Sequence, residues 1–302
     1  MKLNAYAKVN MILNVLGTLP NGYHEVEMLM QAISLCDVVD VELADAHILG
    51  PQDFEYAASD LAYRAALLMA ERFRPDLICS TLDQDGLELA AGVCGVRISI
   101  EKHIPAAAGL AGGSSDAAAV MVGLAKLWEP DQVRENDTLL DLLLPLGAKL
   151  GSDVPFCIAA LLGQPAAIAR GTGTELEFVE PADCSVDLFF SEKTIPNKTA
   201  AVYRELKPSD CAPRYDIAAF LAARTIEEKR ALMGNHLQPA AERLLGAAYG
   251  SSTIPACEPG KDKKTDSSKN SRAPILCGAG PTYFAIGESG AYRTILSGMS
   301  EF

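Results

Sequence analysis

Residues 104–119 read IPAAAGLAGGSSDAAA, and the fold turns on how this stretch is read. Gly109, Gly112 and Gly113 crowd one bend between an apolar run and an alanine-rich one. Glycine loses more conformational freedom on folding than any other residue, so the cluster is expected where something must approach the backbone. Ahead of it, GVRISIEKHI at 95–104 alternates Val96, Ile98 and Ile100 and predicts a half-buried strand. Behind it, Ala117, Val120, Met121, Leu124 and Trp128 recur on one helical face. The loop therefore opens a helix. The first amides of a helix lack internal acceptors and carry the positive end of its dipole, and glycines let anionic oxygens reach them. Ser114 and Ser115 add hydroxyls, and either suits a helix cap. The pattern predicts a phosphate cradle; the plainer alternative is a strand-to-helix turn capped by serine. It is not a Walker loop, because Asp116 follows the serines and no lysine precedes them, nor is it G-x-G-x-x-G.

The composition sets the class. The chain has 302 residues, 49% hydrophobic and 22% charged, which is the balance of a globular protein large enough for two domains. A net charge of −13 argues against nucleic acid and anionic membrane surfaces as partners. It leaves room for phosphate ligands, since backbone amides bind anions whatever the global charge. No apolar run reaches the length of a membrane span, and Lys2, Asn4, Lys8 and Asn10 make the amino terminus a poor signal peptide. The 8 cysteines are scattered without C-x-x-C spacing, so reduced thiols in a cytoplasmic protein are expected rather than a zinc site. A small ligand is favoured over a polymer.

Read along the chain, the first dozen residues predict a strand and NGYH at 21–24 a turn. VEMLMQAISL and VVDVEL predict two further strands, and DLAYRAALLMAERF at 60–73 an amphipathic helix. DTLLDLLLPLGAKLGSD predicts a second helix that Pro145 kinks or ends, with Asp153 at its exit. AAIARGTGTELEFV reads as a hairpin and VDLFFS as a strand. NKTAAVYREL and TIEEKRALMGNHLQPAAERLLGAAY read as helices, and ILCGAGPTYFAIGES as strand, glycine turn and strand. Residues 250–274, rich in Ser, Lys, Pro and Gly, predict a mobile surface loop. No internal repeat is present.

The stretch IPAAAGLAGGSSDAAA resembles the signature loop of the superfamily of galactokinase, homoserine kinase, mevalonate kinase and phosphomevalonate kinase. Within it, AKVNMILNVLGTLPNGYHEVEMLMQAISLCD at 7–37 is similar to the opening of the 4-diphosphocytidyl-2-C-methyl-D-erythritol kinase family, with its A-K-[IV]-N and G-Y-H elements. LGSDVPF at 150–156 resembles that family's L-G-[AS]-D-[VI]-P-F, and CGAGPTYFAI at 277–286 its S-G-[ST]-G-P-T-x-F-A. NKTAAVYREL resembles a weaker S-T-x-x-V-[YF] element.

The resemblance implies an α/β (α+β) kinase fold of two domains with the active site in the cleft between them. Residues 1–162 would form the ATP-binding and catalytic domain, and 163–302 the substrate-binding domain. ATP, carrying Mg2+, would lie on Pro105, Ala108, Gly109, Leu110, Ala111, Gly112, Gly113, Ser114, Ser115 and Asp116. Asp153 and Lys8 would face the acceptor hydroxyl. Tyr23 and His24 would bind cytosine, with Tyr203 stacking on the same base. Asn10, Thr199, Gly278 and Gly280 complete the expected substrate side. Metal ligands on the protein are not assigned, although Ser115 is one hydroxyl near the phosphates. The implied reaction is ATP-dependent phosphorylation of the 2-hydroxyl of the diphosphocytidyl methylerythritol, in the non-mevalonate isoprenoid pathway. Phosphoryl transfer to an alcohol asks for a positioned hydroxyl, an acceptor for its proton and cations for the developing charge; Asp153 and Lys8 answer the last two.

Two departures are visible. Cys277 stands where the family carries serine, and GNHLQP at 234–239 replaces N-D-L-E-P, putting His236 and Gln238 where acids are expected. His47, His103 and His236 are read as structural. Three other readings stay open: a sister kinase for homoserine or a mevalonate-type alcohol, an ATP-dependent decarboxylase, and a non-catalytic relative that binds ATP or another ligand.

Overall fold

Two long antiparallel strands carry the fold, β1 (Lys2–Thr18) and β2 (His24–Leu49). They belong to a computed structural model that describes residues 1–55, 59–82, 88–128, 135–191, 193, 195–246, 274–287 and 290–297. β1 is buried on both faces from Ala7 to Val15, as a strand covered on two sides must be. Three polar residues interrupt that run, Lys8, Asn10 and Asn14, and all are buried. Buried polar groups persist when hydrogen-bonded. Asn14 is a packing device: its amide donates to the Tyr215 carbonyl and its own carbonyl accepts the Tyr215 N–H, both at 2.9 Å. Lys8 and Asn10 are flanked by register shifts at Tyr6/Lys8 and Asn10/Ile12, and such bulges re-aim side chains.

β2 pairs with β1 along one edge. On its other edge it takes β5 (Ala166–Gly171) and then β4 (Glu88–Glu101). β3 (Ile78–Leu82) extends the sheet beyond β4, β6 (Glu175–Phe178) beyond β5, and β8 (Gly234–Asn235) runs parallel to β1. Strands from both sides of residue 162 thus share this seven-stranded sheet. A second sheet has the order β11 (Tyr292–Arg293), β7 (Ser185–Phe189), β10 (Tyr283–Gly287), β9 (Ile275–Leu276). One apolar cluster joins Val9 and Ile12 of β1 to Val186 and Leu188 of β7 and Phe284 of β10.

Helices α1 (Leu61–Phe73), α2 (Gly112–Trp128), α3 (Asn136–Gly147) and α4 (Val154–Leu161) pack in one core with β1, β2 and β4. Helix α2 is buried all round from Ser115 to Ala125, more than the single apolar face expected; its small side chains let α1, α4 and the sheet close over it. Helices α5 (Lys198–Glu205), α6 (Ile217–Ala222), α7 (Ile226–Leu232) and α8 (Gln238–Leu245) follow β7 in the chain. The mixed α/β class expected from the sequence is the one found.

Several boundaries differ from the sequence reading. VEMLMQAISL and VVDVEL form one strand, because Asp37 between them is not a turn residue: its carboxylate is buried and accepts N–H bonds from His103 and Ile104. β4 begins at Glu88 rather than 95. The helix holding Pro145 stops at Gly147, and a new buried helix, α4, starts at Val154; Asp153 therefore stands at a helix start, not an exit. The long helical segment at 225–249 is broken where Gly234 and Asn235 pair with Ile12 and Leu13. Of the expected loop at 250–274, residues 250–273 lie outside the described residues. Among the described residues no helix is long and apolar enough to cross a membrane.

Candidate active site

A cleft of about 1640 Å³ opens between β1, the start of β2, the end of β4, the glycine loop, α5 and the loop before β10. Most of the residues expected at the site line it. Lys8 and Asn10 come from β1, and Tyr23 and His24 from the turn into β2. Pro105, Ala108, Gly109, Ala111, Gly112, Gly113, Ser114 and Asp116 come from the glycine loop and α2. Asp153, Thr199, Tyr203 and Gly278 close the far side. Leu110, Ser115 and Gly280 do not line the cleft. Leu110 is a core residue, the Ser115 hydroxyl donates to the Tyr6 carbonyl, and the Gly280 carbonyl accepts from Lys198.

At the floor, Lys8 is 4% exposed, and its ammonium donates to Asn10 Oδ1 at 2.9 Å and lies 3.5 Å from Asp153 Oδ2. Asn10 in turn directs its amide to Met28 Sδ at 3.3 Å. Asp153 precedes α4, yet its carboxylate does not cap that helix; it stays free for the cleft, a third exposed. A carboxylate and an ammonium at this separation provide a proton acceptor beside a fixed positive charge.

The glycine loop and the loop before β10 interlock. Gly109 has φ +85°, and a Cβ there would come within 2.3 Å of the Cys277 carbonyl oxygen. Only glycine allows both the left-handed backbone and that approach. Ala107 and Ala111 also lie in the left-handed region, at φ 54° and 62°, which costs an L-residue energy and is found where a loop is held for a ligand. Gly113, by contrast, is uncrowded: the nearest atom to a Cβ there would be Leu61 Cδ1, at an ordinary contact distance of 3.9 Å. That uncrowded backbone, at the first turn of α2, admits an anionic oxygen to free helix amides.

On the other side, the rings of His24 and Tyr203 stack with centroids 4.7 Å apart and planes 27° from parallel. Tyr23 is 66% exposed at the rim. Burial, with the Asp153 charge adding to it, pushes the Tyr203 hydroxyl up to about 12. His24 and Tyr203 are thus in direct contact, one aromatic face against the other.

The partners that several groups in this region take up carried no signal in the sequence. Asp37 and Asp116 both accept from Lys102 Nζ, at 2.5 Å each. Burial lifts the Asp116 carboxyl to about 7 against the pull of Lys102. Burial opposes the charge on Lys102, but the two carboxylates outweigh it and raise that lysine. Asn235 donates to the Leu276 and Gly278 carbonyls, both at 2.8 Å, and so holds the loop before β10. It is the asparagine kept in GNHLQP, the available clue. His236 in the same element is structural: Nδ1 accepts the Val15 N–H at 3.0 Å, and Nε2 donates to the Pro213 carbonyl. Gln238 ties α8 to β9 by accepting the Leu276 N–H at 3.1 Å. Cys277 is fully buried, and burial pushes its thiol up to about 12.

The fold and this cleft define a class. The family model "GHMP kinases N terminal domain" matches residues 60–160, which span α1, the glycine loop and α4. In fold the chain resembles the phosphomevalonate kinase of Streptococcus pneumoniae, with a TM-score of 0.55 at 13% identity, covering 95% of this chain and 91% of that one. A narrower likeness is to a crystal structure of 4-(cytidine 5'-diphospho)-2C-methyl-D-erythritol kinase. It has a TM-score of 0.69 and 30% identity, covering 95% of this chain and 90% of that one. A 4-diphosphocytidyl-2-C-methyl-D-erythritol kinase of Exiguobacterium sibiricum is 35% identical over 292 residues, 95% of this chain and 88% of the relative. The chain belongs to the 4-diphosphocytidyl-2-C-methyl-D-erythritol kinase family, and its members are kinases.

Proposed function

We propose that this protein transfers the γ-phosphoryl group of ATP to the 2-hydroxyl of 4-diphosphocytidyl-2-C-methyl-D-erythritol, with Asp153 and Lys8 at the reacting atoms. The observation that carries this reading is the Lys8–Asp153 pair, 3.5 Å apart on the cleft floor beside the interlocked glycine loops. Asp153 accepts the hydroxyl proton as the new P–O bond forms and orients that oxygen; ADP leaves with the broken P–O bond electrons. Lys8 offsets charge growing on the transferred phosphoryl oxygens. Asn10 holds Lys8 in place through Oδ1.

The residues fit a nucleotide. The open backbone at Gly113 and the first turn of α2 offer amides to its phosphates, while Pro105 and Ala108 wall the adjoining cleft. Mg2+ carried by those phosphates would supply charge neutralisation there; among the described residues no three His, Cys, Asp or Glu side chains gather into a metal-ligand set. Tyr23, His24 and Tyr203 are assigned to the cytosine ring, and Thr199 and Gly278 to the diphosphate side; Gly280 lies off the cleft and holds Lys198 through its carbonyl. The division of labour between 1–162 and 163–302 is part of the same proposal, with Tyr23 and His24 serving the substrate from the first part and β5, β6 and β8 of the second completing the first part's sheet. Both ligands are small molecules, in keeping with the acidic chain.

The test is ADP release with ATP and Mg2+ against the cytidine compound, its uridine analogue, homoserine and mevalonate. Turnover of the cytidine compound, reduced about 10²–10⁴-fold in Asp153→Asn, is the expected result. Turnover of homoserine or mevalonate instead would overturn the substrate assignment.

A further inference from the structure

Lys198 is the feature of the cleft that the reading above does not use. It falls in NKTAAVYREL, where the resembling family element carries serine, and it opens α5 behind Asn197, whose backbone is left-handed at φ 45°. Its side chain lines the cleft. Nζ donates to the Ala107 carbonyl of the glycine loop at 2.7 Å and to the Gly280 carbonyl of the second loop at 2.5 Å. An ammonium has three donors. Two end on carbonyls, and the third has no protein partner among the described residues.

The charge balance points the same way. Lys198 has no ion-pair partner among the described residues, whereas the neighbouring Lys8 takes Asp153. The ammonium groups of Lys8 and Lys198 thus have the same partly exposed carboxylate, Asp153, as their neighbour. Lys198 is half-buried, and a partly desolvated cation with no carboxylate paired to it is stabilised when a ligand supplies the negative charge. Burial, with the Lys8 charge second, pushes the Lys198 amine down to about 8.

We propose that Lys198 is a phosphate-binding residue: its spare N–H takes an anionic phosphate oxygen of a ligand while its other two keep the glycine loop tied to the second loop. The identity of that ligand rests on the kinase reading. The phosphate belongs either to the nucleotide donor or to the diphosphate of the acceptor, and the chemistry of recognition is the same for both. An approaching phosphate favours the charged amine, so binding takes up a proton near pH 8 and weakens as the pH rises above it. The charged and titratable groups acting on Lys198 are Lys8 from β1, Cys277 from the second loop and Asp153 ahead of α4, while Tyr203 and Arg204 of its own helix line the same cleft. Cys277 and Tyr203, both pushed up to about 12, do not compete in that range.

The experiment is calorimetric titration of the full chain, and of Lys198→Met and Lys198→Ser, with Mg2+ and a non-hydrolysable ATP analogue in one arm and CDP in the other, at pH 7 and pH 9. Lys198→Ser restores the family's residue. The expected result is a loss of about tenfold or more at pH 7 for one ligand and less than twofold for the other. In the unaltered protein that same ligand binds more weakly at pH 9, with proton uptake at pH 8 that varies with buffer ionisation enthalpy; both effects vanish in the variants. Unchanged affinity for both ligands overturns the proposal. So does equal weakening of both with the pH dependence kept, which is what a loop tie alone would give. Should neither variant fold, absence of proton uptake by the unaltered protein overturns it by itself. Failure to form ADP with the cytidine acceptor would sink the kinase reading while leaving these titrations readable.

Discussion

At the scale of single residues, Tyr203 and His24 set the expected cost of losing the base contact. Stacking of an aromatic ring on a base is worth about 1–3 kcal/mol. Tyr203→Ala should raise KM for the cytidine acceptor about tenfold and leave KM for ATP within twofold, while Tyr203→Phe keeps the ring and most of the affinity. Steady-state kinetics with each substrate varied in turn would check this. Equal effects on both substrates would mean that the ring supports the cleft without touching the base. The two aromatic positions were legible in the sequence through NGYH and NKTAAVYREL, but their mutual stacking was not. A contact between residues 24 and 203 depends on how α5 returns to the start of β2, and neither local pattern encodes that. The Asp37–Lys102–Asp116 cluster was hidden for the same reason: Asp116 was expected at the nucleotide, but nothing local joins it to Lys102 and Asp37.

At the scale of elements, the glycine loop separates two uses of one residue type. Gly109 is demanded by its φ of +85° and by the Cys277 carbonyl, so Gly109→Ala should destabilise the protein by ~2 kcal/mol or more. Gly113 is demanded by nothing in the protein itself. Gly113→Ala should leave the thermal midpoint nearly unchanged and weaken nucleotide binding about tenfold, as read by thermal unfolding beside a titration with the ATP analogue. A stable Gly109→Ala, or an unaffected nucleotide affinity in Gly113→Ala, would contradict the division. The loop, β1, α1 and the 166–178 hairpin were readable because periodicity and turn chemistry agree there. Helix α4 was not, since VPFCIAAL is a short apolar run that lacks a helical period on its own. β8 was invisible because two residues between helices become a strand only by pairing with β1.

At the scale of the whole molecule, the two sheets share a core. Val9 and Ile12 of β1 pack in one cluster with Val186, Leu188 and Phe284 of the second sheet, and an isolated bridge links Ile33 to Thr294. The chain is therefore expected to unfold in one transition. Fluorescence of the lone Trp128, at the end of α2, and far-UV circular dichroism should give coincident urea midpoints; separate midpoints would show two independently stable parts. The central claim is that the Lys8–Asp153 pair directs a phosphoryl group onto the acceptor alcohol, and one measurement addresses it most directly. Phosphorus NMR would follow the cytidine acceptor incubated with ATP and Mg2+, with the unaltered protein and with Asp153→Asn. The account predicts one new phosphomonoester signal on the acceptor, matched by ADP, in the first sample and essentially none in the second. Inorganic phosphate without the ester, or an undiminished ester signal in Asp153→Asn, would contradict it.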